Sequence, residues 1–77
     1  MIYIDVRTKG EYDSGHKEGA LHHDIMDMMC GTFPELPKDT EIILYCESGN
    51  RSMMAQNMMQ NAGFTGVTNG GSYTDII

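Results

Sequence analysis

Residues 42–52 read Ile-Ile-Leu-Tyr-Cys-Glu-Ser-Gly-Asn-Arg-Ser, an apolar run followed by a short polar loop. The run from Glu41 to Tyr45 is nearly unbroken, a pattern typical of a central parallel strand that is covered on both faces. Residues 51–62 then carry Met and Ala at helical spacing, which predicts a helix. The stretch therefore predicts a strand-to-helix turn with Cys46 at the carboxyl end of the strand.

A cysteine at such a turn is a candidate nucleophile. The first turn of the helix leaves N–H groups without partners, and the helix dipole adds partial positive charge, so both lower the pKa of a thiol there. A buried cysteine beside an ordinary glycine turn is the alternative on these residues alone. In the reactive interpretation, the loop that holds the sulfur or a bound anion comprises Glu47, Ser48, Gly49, Asn50, Arg51 and Ser52.

Working outward, the remaining segments alternate between strand and helix patterns. Strands are predicted over 2–6, 20–23 and 66–69, helices over 8–14 and for about seven residues after Asp24, and a terminal turn or helix through Tyr73. Thr8 and Glu11 have the spacing of a capping box. This order predicts a single α/β domain over 1–77, with an open parallel sheet and helices on both faces.

Helical spacing also predicts which side chains are buried. Cys30 is predicted to be a small buried hydrophobe, with a disulfide or a resolving thiol as alternatives. The eight methionines are interpreted as core filler. The predicted buried stripes comprise Ile25, Met28 and Met29 in the second helix, and Met54, Ala55, Met58, Met59 and Ala62 in the third.

Composition argues against several classes of partner. The formal net charge is −6 and no basic run exists, so nucleic acid and anionic membranes are not expected partners. No apolar run approaches the roughly 20 residues of a membrane span. His22 and His23 point to opposite faces of a strand, so with Cys30 they make a poor metal site, and neither a metal nor a cofactor is expected. Either the cytoplasm or a bacterial periplasm, after removal of a signal peptide, fits this sequence.

Four ordered motifs resemble those of the single-domain rhodaneses, or thiosulfate sulfurtransferases, and most closely the small phage-shock type. Cys46-x-x-Gly49-x-Arg51-Ser52 resembles their active-site loop. The family's N-terminal edge strand and helix have no counterpart, which implies a minimal sheet of about four strands. The other motifs are Asp5-Val6-Arg7 with Glu11-Tyr12, Gly15-His16-x-x-Gly19-Ala20, and Gly63-Phe64 through Val67 to Asn69-Gly70-Gly71.

The resemblance implies a function and roles for residues. Cys46 would take the outer sulfur of thiosulfate or another persulfide donor and pass it to cyanide or a thiol, in two half-reactions. Residues 47–52 would hold the persulfide, with Arg51 stabilising the loop or the donor's oxyanion. Asp5 and Arg7 would be supporting residues, His16 a structural hydrogen bonder, and the protein a monomer.

Two alternatives differ from that function. Dual-specificity phosphatases of similar architecture place five residues between cysteine and arginine, whereas four separate Cys46 from Arg51. The shorter loop is too tight for a phosphoryl group, which argues against a phosphatase or an arsenate reductase. A binding or regulatory module without catalysis is the other alternative. Glu47 is a departure of interest, because a carboxylate near the sulfur would raise the thiolate pKa and repel dianionic thiosulfate.

Overall fold

The computed structural model describes residues 1–77, and its elements follow the predicted alternation of strands and helices. The first of them, β1, begins directly after Met1 and the last ends one residue before the C-terminus. In chain order the elements are β1 Ile2–Asp5, α1 Lys9–Asp13, β2 Leu21–His22, α2 Ile25–Met29, β3 Ile42–Cys46, α3 Asn50–Asn61, β4 Val67–Ser72 and α4 Tyr73–Ile76.

The four strands form one parallel sheet in the order β2-β1-β3-β4, as the α/β prediction required. Strand β2 pairs with one edge of β1, β3 pairs with the other edge of β1, and β4 pairs with the far edge of β3. Asp5 is in register with Tyr45, and the Val6 N–H donates to the Tyr45 carbonyl at 3.0 Å. The carboxyl ends of β1 and β3 therefore lie side by side at the point where the strand order reverses, where open parallel sheets bind their ligands.

One face of the sheet packs against α2 and α3. Alternate residues of β1 and β3 point to that face because side chains alternate along a strand. Near-complete burial of an aliphatic side chain contributes about 1.5–3 kcal/mol, so this layer is the main source of stability. The buried cluster consists of Ile4, Val6, Ile25, Met28, Ile42, Leu44, Cys46, Ala55, Met59, Phe64 and Val67.

The opposite face of the sheet carries a thinner cover. The Tyr45 ring stacks on Tyr73 of α4 with centroids 5.9 Å apart, and its hydroxyl accepts from the Lys17 N–H at 3.1 Å. A Cβ on Gly70 would lie 2.6 Å from Ile43 Cγ2 and 2.8 Å from Ile76 Cδ1, so α4 approaches the sheet closely. Helices therefore lie on both faces of the sheet, but the face opposite α2 and α3 is covered only by a loop and the short helix α4.

Several burial predictions were wrong. The interpretation of all the methionines as core filler does not hold for Met1, Met26 and Met53, which are exposed. Met54 lies one position from Ala55, about 100° around the helix, and falls outside the stripe that faces the sheet. Met29 and Cys30 are exposed because α2 ends there and the chain turns away from the core. Both cysteines are free.

The last strand also runs further than the predicted 66–69. A bulge at Gly70 and Gly71 carries β4 on to Ser72, which pairs with Cys46. The capping box of Thr8 and Glu11 is confirmed. None of the helices combines the length and apolar character that crossing a membrane requires.

Candidate active site

The loop after β3 places Cys46 beneath the first turn of α3. Strand β3 ends at Cys46 and α3 begins at Asn50, with Gly49 as its N-cap residue. Gly49 has φ of 94°, in the left-handed region that a side chain disfavours. This conformation curls the loop tightly enough for its N–H groups to converge on the sulfur.

Two backbone N–H groups point at the Cys46 sulfur. The Gly49 N–H donates to Sγ at 3.0 Å and the Ser52 N–H at 3.4 Å. Burial raises the pKa of the Cys46 thiol, but hydrogen bonds from Ser52, and then from the Ser48 and Gly49 backbone, outweigh burial and leave that pKa below its ordinary value. The thiol is therefore biased toward the thiolate, the form that acts as a nucleophile.

A side-chain network beneath the loop holds Ser52 in place. Its hydroxyl lies 2.6 Å from Asn69 Oδ1 and 3.0 Å from the Gly49 carbonyl. The same Asn69 oxygen accepts from the Gly71 N–H at 2.9 Å, and its amide donates to the Gly49 carbonyl at 3.3 Å. Asn69 thus ties the loop to β4. Sequence reasoning did not assign it a role, and its only signal was an amide beside the Gly70-Gly71 pair.

The network predicts the effect of Ser52→Ala. Removing the hydroxyl while keeping the N–H is expected to raise the pKa of Cys46, since one group that stabilises the thiolate is lost. Ultraviolet absorbance of the thiolate against pH, in a Cys30→Ser background, measures the midpoint. Ser48→Ala is the matched control because Ser48 contributes only its backbone. Equal midpoints in all three proteins would contradict the assignment.

Arg51 connects the loop to α1. Its guanidinium forks onto Glu11, with Nη1 to Oε1 at 2.7 Å and Nη2 to Oε2 at 2.9 Å. This contact, with the capping bonds from Thr8, lowers the pKa of Glu11 to about 2. Arg51 therefore fastens the loop to α1 through the Glu11 carboxylate.

Asp5 and Arg7 form a buried ion pair at the end of β1. The Asp5 carboxylate accepts from the Arg7 N–H, Nε and Nη2 at 2.7–3.0 Å, and Nη2 also donates to the Gly15 carbonyl at 2.7 Å. The Arg7 guanidinium lies 4.5 Å from the Tyr73 ring centroid. The pair anchors the loop after β1 beside the loop after β3.

A cleft of about 570 Å³ opens between these two loops. Its wall does not include Cys46, which is fully buried, but it does include the next residue, Glu47. The Glu47 side chain is 59% exposed and leans toward Arg7, with Oε2 3.7 Å from Nη1. Ser48 and Asn50 lie exposed on the outer side of the loop. The lining residues are Arg7, Gly10, Glu11, Ser14, Gly15, Glu47 and Tyr73.

The histidines lie apart from this chemistry. His16 stacks on Tyr12 with ring centroids 3.7 Å apart and bonds the Tyr12 carbonyl through Nδ1. His22 and His23 each donate from Nε2 to a backbone carbonyl at 2.8 Å. No three His, Cys, Asp or Glu side chains are grouped so that they could hold a metal ion.

The chain resembles known proteins in family, sequence and structure. The family model of the rhodanese-like domain matches residues 1–74. A senescence-associated protein of Raphanus sativus is 38% identical over 77 residues, which cover 86% of this chain and 42% of the radish protein. The chain thus spans less than half of that relative.

Two further proteins match more of their own length. The thiosulfate sulfurtransferase PspE of Escherichia coli is 29% identical over 77 residues, which cover 96% of this chain and 72% of that protein. The solved structure of a human single-domain sulfurtransferase superposes with a TM-score of 0.85 over 96% of this chain and 78% of that one, at 23% identity. The second likeness is one of fold.

Proposed function

This chain belongs to the rhodanese-like domain family, and from that premise we propose that it transfers sulfane sulfur through a persulfide on Cys46. The observation that carries the proposal is the thiol itself, which receives two backbone N–H donors at a strand-to-helix junction. Those donors stabilise the thiolate before the reaction and are aimed at negative charge on the persulfide after it. The resemblance to the thiosulfate sulfurtransferase PspE supports the same reaction class.

The reaction runs in two half-reactions. The Cys46 thiolate attacks the outer sulfur of thiosulfate or another sulfane donor, a new S–S bond forms, and with thiosulfate sulfite leaves with the electron pair of the broken bond. A thiolate or cyanide then attacks the terminal sulfur, and the Cys46 thiolate leaves with the electron pair. No net oxidant or reductant is consumed, and Arg51 holds the loop in place throughout by its contact with Glu11.

Intact-mass measurement tests the proposal. Incubation with thiosulfate, or with a polysulfide, is expected to add the mass of one sulfur atom, and cyanide is expected to remove it. Cyanide removes sulfane sulfur but leaves an oxidised thiol unchanged, so the two steps together identify a persulfide. A protein that gains no sulfur from either donor would refute the proposal.

Glu47 is expected to oppose thiosulfate. Like charges a few ångströms apart repel by about 1 kcal/mol in water, so Glu47→Gln is expected to raise kcat/KM for thiosulfate about three- to tenfold at low salt. Steady-state assays at two ionic strengths measure this gain, which added salt should reduce. Glu41→Gln is the matched control, because it changes net charge equally at the opposite end of β3. An equal gain in both variants would contradict a local effect.

A further inference from the structure

The Arg7 side chain retains hydrogen-bonding capacity that the fold does not use. The residue is only 3% exposed, and its Nε and Nη2 are occupied by Asp5 and Gly15. Its Nη1 donates to no atom of the chain. No buried side-chain nitrogen or oxygen lacks a partner, so Nη1 is not sealed in the core. Because Arg7 lines the cleft, this free donor faces the cleft.

The position of that donor is fixed before any ligand arrives. The Asp5 carboxylate holds the Nε–Nη2 edge of the guanidinium, the Gly15 carbonyl accepts from Nη2, and the Tyr73 ring lies against the plane at 4.5 Å. A cation against an aromatic face is attracted to it electrostatically, which helps to hold the guanidinium in place. A ligand that reaches Nη1 therefore meets a pre-organised donor and loses little side-chain entropy.

Glu47 supplies the complementary group on the same wall. Its Oε2 lies 3.7 Å from Arg7 Nη1, beyond hydrogen-bond distance, and more than half of its side chain is exposed. The Arg7 guanidinium and the Glu47 carboxylate can therefore both still form hydrogen bonds to a ligand. Glu47 directly follows Cys46 in the chain, and Arg7 lies opposite Glu47 on the neighbouring loop after β1.

The charges decide which ligand class fits. A dianion would find the Arg7 charge already neutralised by Asp5 and would be repelled by Glu47 and by the net charge of −6. A simple cation would satisfy Glu47 and leave Nη1 facing a positive charge. A zwitterion satisfies both groups and has no net charge for the protein to repel.

We propose that this cleft binds the zwitterionic head group of an amino-acid thiol, the carboxylate on Arg7 Nη1 and the ammonium on Glu47, and that this thiol accepts sulfur from Cys46. The inference rests on the proposed sulfur transfer. The acceptor thiol loses its proton to solvent, and its thiolate attacks the terminal sulfur of the Cys46 persulfide. The Cys46 thiolate leaves with the electron pair, and the product is an amino-acid persulfide.

Single-turnover discharge of the loaded protein tests this assignment. The chain is charged with sulfur, its mass is verified, and discharge is followed with cysteine, cysteamine, 3-mercaptopropionate and 2-mercaptoethanol. Half-saturation with cysteine is expected at a concentration about tenfold below that of any thiol lacking either charge. The half-saturation concentration is compared, since it depends less than the rate on the nucleophilicity of each thiol.

Variants separate recognition from chemistry. Glu47→Gln is expected to remove most of the advantage of cysteine over 3-mercaptopropionate, whereas Glu41→Gln retains it. L-Serine, which has the head group but no thiol, is expected to compete with cysteine in the wild type and to lose this effect in Glu47→Gln. Equal half-saturation for all four thiols, or a cysteine preference that survives Glu47→Gln, would overturn the assignment while sulfur loading still supports the transfer. A protein that never loads sulfur overturns both.

Discussion

Cys46→Ser is expected to abolish sulfur uptake, leaving no mass gain above the uncatalysed background after incubation with thiosulfate or polysulfide. A serine hydroxyl stays protonated at neutral pH and is a poor nucleophile toward sulfur, so the first S–S bond cannot form. The substitution is close in size, and the Gly49 and Ser52 N–H groups can donate to the hydroxyl oxygen as they do to Sγ. The fold is therefore expected to survive, and circular dichroism checks this.

Cys30→Ser is the matched control for that experiment. Cys30 is the only other thiol, and it is exposed at the end of α2. Sulfur uptake in this variant is expected to equal that of the wild type. Sulfur uptake that persists in Cys46→Ser and disappears in Cys30→Ser would show that Cys30, and not Cys46, is the nucleophile.

Asp5→Ala is expected to give the largest loss of stability, about 3–5 kcal/mol in the free energy of unfolding, because it leaves the buried Arg7 charge without a partner. Asp5 is fully buried and accepts hydrogen bonds from the Arg7 backbone N–H, Nε and Nη2. The stability of so small a domain is on the order of 5 kcal/mol, so the variant is expected to be largely unfolded at 37 °C. Urea denaturation followed by circular dichroism measures the loss.

Asp13→Ala is the surface counterpart. Its carboxylate pairs with Lys9 at 3.3 Å, and both side chains are more than half exposed, so a loss of about 0–1 kcal/mol is expected. The double variant Asp5→Ala, Arg7→Met removes both buried charges and is expected to recover part of the stability lost in Asp5→Ala. Equal midpoints for Asp5→Ala and Asp13→Ala would show that the buried pair is not what holds the two loops together.

Local sequence patterns predicted the elements of the fold because each pattern depends on neighbours along the chain. The apolar run before Cys46 became β3, and the spacing of Thr8 and Glu11 became a capping box. The nearly continuous run and the alternation of elements were enough to predict a parallel sheet. Burial within helices was predicted less well, since Met29 and Met54 have the spacing of core residues but lie where no second layer covers them.

Local sequence patterns did not predict the contacts between segments that are distant in the chain. Arg51 pairs with Glu11 across 40 positions, and Asn69 reaches under the loop from β4. Nothing in the periodicity of either segment distinguishes these side chains from ordinary surface polar residues. Their roles depend on which strand lies beside which, a choice made by the packing of the whole sheet.

The sequence by itself determined the strand-to-helix turn at Cys46, the length of the loop from Cys46 to Arg51 and the α/β order, because these depend on residues close together in the chain. Only the tertiary structure decided that the end of β1 lies beside the end of β3, since strand order follows from burying one common apolar face. From the sequence, the Glu47 carboxylate was expected to raise the pKa of the thiolate if it lay near the sulfur. Because β1 ends beside β3, that carboxylate is instead directed at Arg7 on the wall of the cleft, with Oε2 3.7 Å from Nη1.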